Sequence, residues 1–555
     1  MNFLYPILYA ETHYTFPFLF SFLKRRQPEI LADAPFRVEP STPIPVLCLI
    51  KDAHLYPITL ERIVVSVRSP SGSVQRRDFP FDVSIAEPFW HRVLPVEPLE
   101  PGRTVLDVYF YGTRGGKRWV VRNDNYRTAS HAPLTVEVAS SSLPGSKGWY
   151  YGEAHAHTRY TSDQVEFGAP VSATVELARA MGLSWFAATD HSYDLDDHPD
   201  DFLRNHPDHP LWWALKRDIQ RARRERPDFV VLSGAEVSCG NAEGGNVHLL
   251  AYGLSDLIVG KGDGAERWFR TRPDRSVSEV LEEVRRQGGV AYAAHPLEPA
   301  PFFQRLLIRR GNWCREDLLQ EGLSGLQFWN GKREAGLARG RKAWIDLLIK
   351  GKRVFALGGD DAHGNFNRFR QIGVPFVRMR ESDQQRFGAV RTALFLPDGL
   401  REWGVLEALR AGRSVVTDGP FVAFGLEREG KQSATETQSI QRKPKNESQC
   451  SVVSVPRWQG KGEKVCIGGT IAGGKLWLDV EAETTGEFGD FREIVMYRGD
   501  IARRREEVLQ RWRGKGRRRF SVRTKVEVAG PGYLRAEGKT ERGHWCLTNP
   551  IWIGR

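Results

Sequence analysis

The chain has 555 residues, and at roughly 150 residues per domain this suggests three or four domains. Hydrophobic residues make up 41% and charged residues 27%, which excludes a wholly disordered chain and a membrane bundle. The net charge of +12 leaves polyanion binding open, but the excess is local: residues 498–525 hold twelve Arg/Lys and three acids, a net +9 (12 − 3).

The chain opens with an apolar, aromatic segment, residues 1–35. Its basic residues Lys24 to Arg26 follow the apolar run, and Pro6, Glu11 and Pro17 interrupt it. A signal peptide has the opposite charge order, and a spanning helix needs about 20 unbroken apolar residues, so a buried or packing segment is expected, with weak interfacial binding as the alternative. Residues 36–140 are short β-branched and aromatic runs such as IPVLCLI, IVVSVRS and TVLDVYFYG, separated by Pro, Gly, Asp and Asn. They predict a β-sandwich-like domain. SSSLPGSKG (140–148) reads as a linker.

From 149 to 380 apolar strands alternate with amphipathic helices. WYYGEAH, WFAATDH, FVVLSGAE, VHLLAYG, VAYAAH, GLQFWN and VFALGGD make seven candidate strands. VSATVELARAMG, ALKRDIQRARRE, VSEVLEEVRRQGG and GRKAWIDLLIKGK are helical. This rhythm predicts a parallel α/β layout or barrel. Residues 381–427 hold one more helix and a connection, 428–465 a polar flexible insert, and 466–555 a second, smaller β domain. The six cysteines, 48, 239, 314, 450, 466 and 546, form no CxxC pair, and a reducing, cytoplasmic setting is expected.

Six of the fourteen histidines fall at or beside strand ends: His155, His157, His191, His248, His295 and His363. Glu153, Asp190, Glu236, Asp360 and Asp361 are there too. A lone buried histidine is usually a hydrogen-bonded core residue. Six in one region, most beside a carboxylate, point instead to metal. His155 and His157 are two apart on a strand and so share a face, and Asp361 and His363 repeat the spacing. Imidazole with carboxylate suits Zn, Mn or Fe.

HAHTRYTSD, TDHS, GAEVS, VHLLAYG, AAHP and GGDDAH, in this order across roughly 150–365, resemble the polymerase-and-histidinol-phosphatase (PHP) family of metal-dependent hydrolases. The later ALRAGRSVVTDGPFV and LTNPIWI resemble the branch that includes carbaryl hydrolase. The resemblance implies a distorted seven-stranded (β/α) barrel, flanked here by N-terminal and C-terminal β-sandwich-like domains. It also implies two or three divalent metals. His155, His157, Glu236 and Asp361 would hold the first, with Glu236 bridging to a second held by His248 and His295. Asp163, His191 and His363 would hold a third. SDQ stands where SDG is commoner, and Asp163 where some members have His. Asp190 and Asp360 would orient ligands by hydrogen bonds. Glu153 reads as a rim or structural residue.

The expected activity is hydrolysis by hydroxide on metal-bound water held by Glu236, Asp361 and His155. Phosphoesters are the expectation from the family; carbamate, ester or amide hydrolysis is the alternative from the carbaryl-hydrolase-like branch. No GxSxG nucleophile motif is present. A non-catalytic protein that binds a polyanion or sugar is the rival of a different class. The expected partner is a small, possibly anionic substrate, with Arg159, Tyr160, Asn330, Arg368 and Arg370 as candidate contacts. Cys239 reads as a small residue near the site, and His198, His206 and His209 as solvated loop, with a substrate lid as the alternative. The basic run 498–525 reads as a charged hairpin or loop, with nucleic-acid contact as the sharper alternative.

Overall fold

Period-two alternation sets the first region. Along the strand Ile58–Arg68, Ile58, Leu60, Ile63, Val65 and Val67 point inward; along Gly102–Arg114, Leu106, Val108 and Phe110 do the same. These strands lie in a six-stranded sheet that shares one apolar core with a three-stranded sheet of Glu29–Asp33, Ile44–Lys51 and Phe89–Val96. The sandwich therefore begins at Glu29, inside the segment expected to precede it.

These positions come from a computed structural model that describes residues 27–98, 100–125, 131–161, 168–263, 271–300, 302–331, 333–367, 371–374, 377–380, 385–428 and 463–554. The apolar start of the chain and most of the polar insert at 428–465 lie outside the described residues. Among the described residues, no helix is long and apolar enough to cross a membrane.

The expected (β/α) barrel with separate flanking β domains is corrected by the observed sheet. Strand dominates helix, and the central and C-terminal strands are joined in one mixed, 16-stranded sheet. Trp149–His157, Trp185–Ala188 and Val230–Gly240 pair in parallel, with helices between them. Val230–Gly240, Asn246–Tyr252 and Val290–Ala294 are antiparallel neighbours. The first reversal is dictated locally. Residues 241–245 (NAEGG) are too few for a crossover helix, and parallel strands need a dozen or more connecting residues, so the chain turns back as a hairpin. Arg391–Phe395 also runs antiparallel, on the far edge of Trp149–His157, and leads into Ser414–Thr417 and then Trp545–Thr548.

The C-terminal region is likewise divided. Phe421–Arg428, Lys464–Cys466, Gly474–Glu483 and Arg519–Val528 form a four-stranded sheet, whereas Phe491–Asp500, Arg505–Arg513, Gly532–Thr540 and Trp545–Thr548 extend the large one. The first half of the basic run is a hairpin, as expected: Phe491–Asp500 turns at residues 501–504 into its antiparallel partner Arg505–Arg513. Arg505–Arg513 and Arg519–Val528 are edge strands of different sheets. Much of their charge is matched by surface pairs, among them Arg511 with Glu493, Arg518 with Asp490 and Arg523 with Asp479. Exposed basic side chains on edge strands also discourage edge-to-edge pairing.

One C-terminal residue bears directly on the central strands. The Asn549 side chain accepts from Ala356 N at 2.7 Å and donates to Ala356 O at 3.0 Å and to Ser414 Oγ at 2.7 Å, all buried. It stands in for a missing strand partner along Phe355–Gly359, the strand that leads to Asp360 and Asp361. Replacing it leaves a buried donor and acceptor unmet, at about 1–3 kcal/mol each. Asn549→Ala should lower the thermal midpoint of the full chain; an unchanged midpoint would show that the clamp contributes nothing.

Candidate metal centre

Several chain segments meet at one buried carboxylate, Glu236. Trp149–His157 presents His155 and His157 on one face, as their spacing requires. The short strand Ala362–His363 pairs in parallel with it, with Ala156 opposite Ala362 and His157 opposite His363, and this sets Asp361 against both rings. Asp361 Oδ1 is 3.4 Å from His155 Nε2 and 3.1 Å from His157 Nε2. Glu236 enters from the middle of Val230–Gly240. Its backbone N–H donates to Asp190 O at 3.0 Å, which lays the TDH turn and His191 alongside it.

The result is one fully buried carboxylate with five imidazoles within 3.4 Å. Glu236 Oε2 lies 3.3 Å from His155 Nε2, 3.4 Å from His157 Nε2 and 3.2 Å from His191 Nδ1. Glu236 Oε1 lies 2.6 Å from His248 Nδ1 and 2.9 Å from His295 Nε2. Ligand-type atoms fall within 4.8 Å of one another in three overlapping groups: His155, His157, Glu236 and Asp361; His191, Glu236 and His248; and His157, His191 and His363. His295 and Asp361 have φ of +29° and +54°, in the left-handed region. Such backbone costs of order 1–3 kcal/mol per non-glycine residue and persists where the surroundings over-determine it.

Electrostatics follow the packing. Burial opposes the charge on Glu236, but the imidazoles of His248 and His155 outweigh it and hold the carboxyl well below its usual range. Asp361 is held low in the same way, burial again yielding to His155 and His157. Burial alone would lower His157, yet hydrogen bonds to Asp361 and Glu236 raise it to about 10. His191 goes the other way, lowered to about 3 by burial and by the neighbouring His157.

The donor set fits a divalent ion. His155 Nδ1 and Nε2, His191 Nδ1 and Glu236 Oε2 are all buried with no hydrogen-bond partner, although the facing atoms stand 3.2–3.3 Å apart. Buried polar atoms in folded proteins are nearly always hydrogen-bonded. Nitrogen and carboxylate oxygens gathered within 4.8 Å of one another suit Zn, Mn or Fe.

A second layer fixes this arrangement. Asp190 accepts from Thr158 N at 2.7 Å, Thr158 Oγ1 at 2.8 Å and Thr161 N at 3.0 Å, which pins the loop after His157. Of the two roles expected for Glu153, rim or structural, the packing gives the structural one. Glu153 is fully buried, and accepts from His155 N at 2.8 Å, Asp360 N at 3.0 Å and Gly388 N at 3.1 Å. Burial and the facing Glu153 push Asp360 well above the usual carboxylate range.

The structure separates the expected substrate contacts. Arg159 and Tyr160 do not line the centre; both bond Asp218 Oδ2 at 2.9 Å, on the helix Pro210–Glu225. Asn330 is at the centre, with its Nδ2 3.3 Å from Asp361 Oδ2. Asp163, Arg368 and Arg370 lie outside the described residues. Cys239 is buried and its thiol bonds Val247 O at 3.6 Å, in keeping with a packing role. His198 belongs to a short hairpin of Asp197–His198 and Asp201–Asn205 rather than to irregular loop.

Two residues at the centre have no counterpart in the sequence reading. Asp263 Oδ2 is 2.9 Å from His248 Nε2, and Arg310 pairs with Asp263 beside the same ring. Asp263 follows Gly262 outside any helix or strand, and Arg310 follows a short helix, so no periodicity marks either one.

No family model matches the chain, and no curated protein matches it. Among solved structures, a β-glucuronidase of Parabacteroides merdae is similar over 95% of this chain at 8% identity and a TM-score of 0.18. The chain spans 65% of that protein's length. A putative β-galactosidase of Bacteroides fragilis is 10% identical over 95% of this chain and 73% of its own, with a TM-score of 0.19. β-Glucuronidase 3 of Bacteroides uniformis is 8% identical over 95% of this chain and 76% of its own, with a TM-score of 0.18. Likenesses at these scores carry no argument about fold or activity.

The raised pKa of His157 makes a pH prediction for the ion-free chain. Its folded value, about 10, lies above the ordinary 6.5, so the stability from this ring is full below 6.5 and is lost as pH rises through about 10. An ion must also displace that proton. Chelator-treated protein should therefore lose thermal stability between these two pH values, and titrating Zn(II) at pH 7 in weak buffer should release protons. Uptake without proton release would contradict the assignment of His157.

Proposed function

We propose that the chain is a metal-dependent hydrolase, with phosphoesters as its substrate class. The observation that carries the reading is Glu236, a buried carboxylate with five imidazoles within 3.4 Å and an unpartnered oxygen among them. The order of the HAH, TDH, GAE, AHP and DDAH motifs, which resembles the PHP family, supports it as well. So does Arg310, a guanidinium beside His248, because its fork matches the oxygens of a phosphoryl group.

His155, His157, Glu236 and Asp361, with His191 and His248, would hold divalent ions, which would supply Lewis acidity toward water and a phosphoryl oxygen. The chain's own residues do the rest. Glu236 offers one oxygen to His155, His157 and His191 and the other to His248 and His295, so it stands between two clusters of donors and holds them at one spacing. Asp361 balances the first cluster, and its strained backbone aims the carboxylate at His155 and His157. Asn330 steadies the outer oxygen of Asp361. Burial keeps bulk water from screening these charges, which strengthens their effect on a developing negative charge.

The test compares two variants of the full chain. Glu236→Gln keeps shape but removes the charge shared by both clusters, so metal content and kcat should both collapse, the latter by about 100-fold or more. His363→Ala removes a ring stacked on His157 at 4.1 Å and should cost less, with its main effect on KM. Both should be measured by elemental analysis and by turnover of phosphate, carbamate and ester substrates. Carbamate or ester turnover without phosphoester turnover would replace the substrate class. Full metal content in Glu236→Gln, with activity abolished in His363→Ala, would overturn the ligand assignment.

A further inference from the structure

The imidazole of His248 is held from both edges. Nδ1 faces Glu236 Oε1 at 2.6 Å, and Nε2 faces Asp263 Oδ2 at 2.9 Å. Asp263 is itself buried, 2% exposed, and its other partners are donors: the Ser238 hydroxyl at Oδ1 and the Arg310 guanidinium at Oδ2. Ser238 is the residue opposite His248 across the antiparallel pair, so the strands that deliver the ring also deliver a hydroxyl that grips its carboxylate. Trp313 Nε1 donates to His248 O at 3.1 Å and fixes the backbone.

We propose that Asp263 is a positioning residue that makes His248 a ligand through Nδ1, with Arg310 and Ser238 holding Asp263 in place. The inference rests on the metal reading above. Asp263 Oδ2 at 2.9 Å and Arg310 Nη1 at 2.5 Å both stand at the Nε2 edge and together hold the ring in one orientation. The Nδ1 edge is thereby turned toward Glu236, which with His191 and His248 forms one of the groups whose ligand atoms fall within 4.8 Å of one another. A buried Asp–Arg pair is by itself weak evidence for anything beyond packing. The distinguishing feature here is that the pair ends on the outer edge of a candidate ligand ring, so its loss should be felt by one ion and not by the other.

The experiment uses the full-length chain stripped with chelator, as wild type, Asp263→Ala, Asp263→Asn and Ser238→Ala. Zn(II) alone is titrated against a chromophoric competitor, Co(II) alone is followed by its visible absorption, and the thermal midpoint of each ion-free protein is recorded. Asp263→Ala should weaken one equivalent of Zn(II) by about 10–100-fold while the remaining binding matches wild type. The Co(II) spectrum should lose the matching component, and the ion-free midpoint should stay close to wild type. Asp263→Asn keeps an accepting oxygen and should lose less; Ser238→Ala should fall between Asp263→Asn and wild type. If Asp263→Ala does not fold, the other two variants carry the same test.

Wild-type stoichiometry and affinity in every variant would overturn the role of Asp263 and leave the metal reading standing. An equal loss of all equivalents, together with a lowered ion-free midpoint, would also overturn it, because the pair would then be a general packing element. If the wild type itself takes up neither ion, the metal reading fails and this inference with it.

Discussion

A carboxylate with no exposure to water, ringed by five imidazoles, is the constraint around which the central region is arranged. Taking a charge out of water costs several kcal/mol, and the cost is met only where opposite charge and hydrogen bonds are supplied in good geometry. Glu236 meets it by drawing His155, His157, His191, His248 and His295 onto its two oxygens. That in turn demands that Trp149–His157, Val230–Gly240, Asn246–Tyr252 and the end of Val290–Ala294 keep a fixed relative register. The left-handed backbone of His295 and Asp361 is the local cost of the same demand.

The surrounding layers make that register rigid. Asp190 ties the loop after His157 to the TDH turn. The Glu153–Asp360 pair ties the strand carrying His155 to the one ending at Asp361, and Asp360 continues the tie to Val390 N at 3.0 Å. Asn549, from the far end of the chain, locks the strand Phe355–Gly359 from its other side. The C-terminal strands are therefore part of what holds the centre, and this accounts for their merging with the central sheet instead of folding apart.

Charge on the outside of the molecule answers to different rules. Where buried carboxylates here recruit histidines, the arginines of residues 498–525 sit on two sheet edges and meet acidic partners across neighbouring strands. Exposed pairs of this kind are worth only about 0–1 kcal/mol. Inside, Arg535 is fully buried, with Glu537 at 2.5 Å and Glu506 at 2.6 Å, and links Gly532–Thr540 to the edge strand Arg505–Arg513. A net charge summed over the sequence does not distinguish these two situations.

Sequence alone determined the strand-end histidines and acids that meet in the centre. The i, i+2 spacing of His155 and His157 fixes their common face because strand side chains alternate, and the placing of histidines and acids at strand ends is visible by reading along the chain. The alternating residues of the sandwich are legible for the same reason. Which strands pair, and in which direction, is not a local property. The tertiary structure turned Val230–Gly240 and Asn246–Tyr252 into a hairpin, joined the C-terminal strands to the central sheet, and drew Arg159 and Tyr160 away to Asp218. It also brought Asp263 and Arg310 to His248 from loops whose sequence has no periodicity to read. Contacts between residues distant along the chain are set by burial and by the need to satisfy each buried charge, and those requirements arise only once the strands have come together.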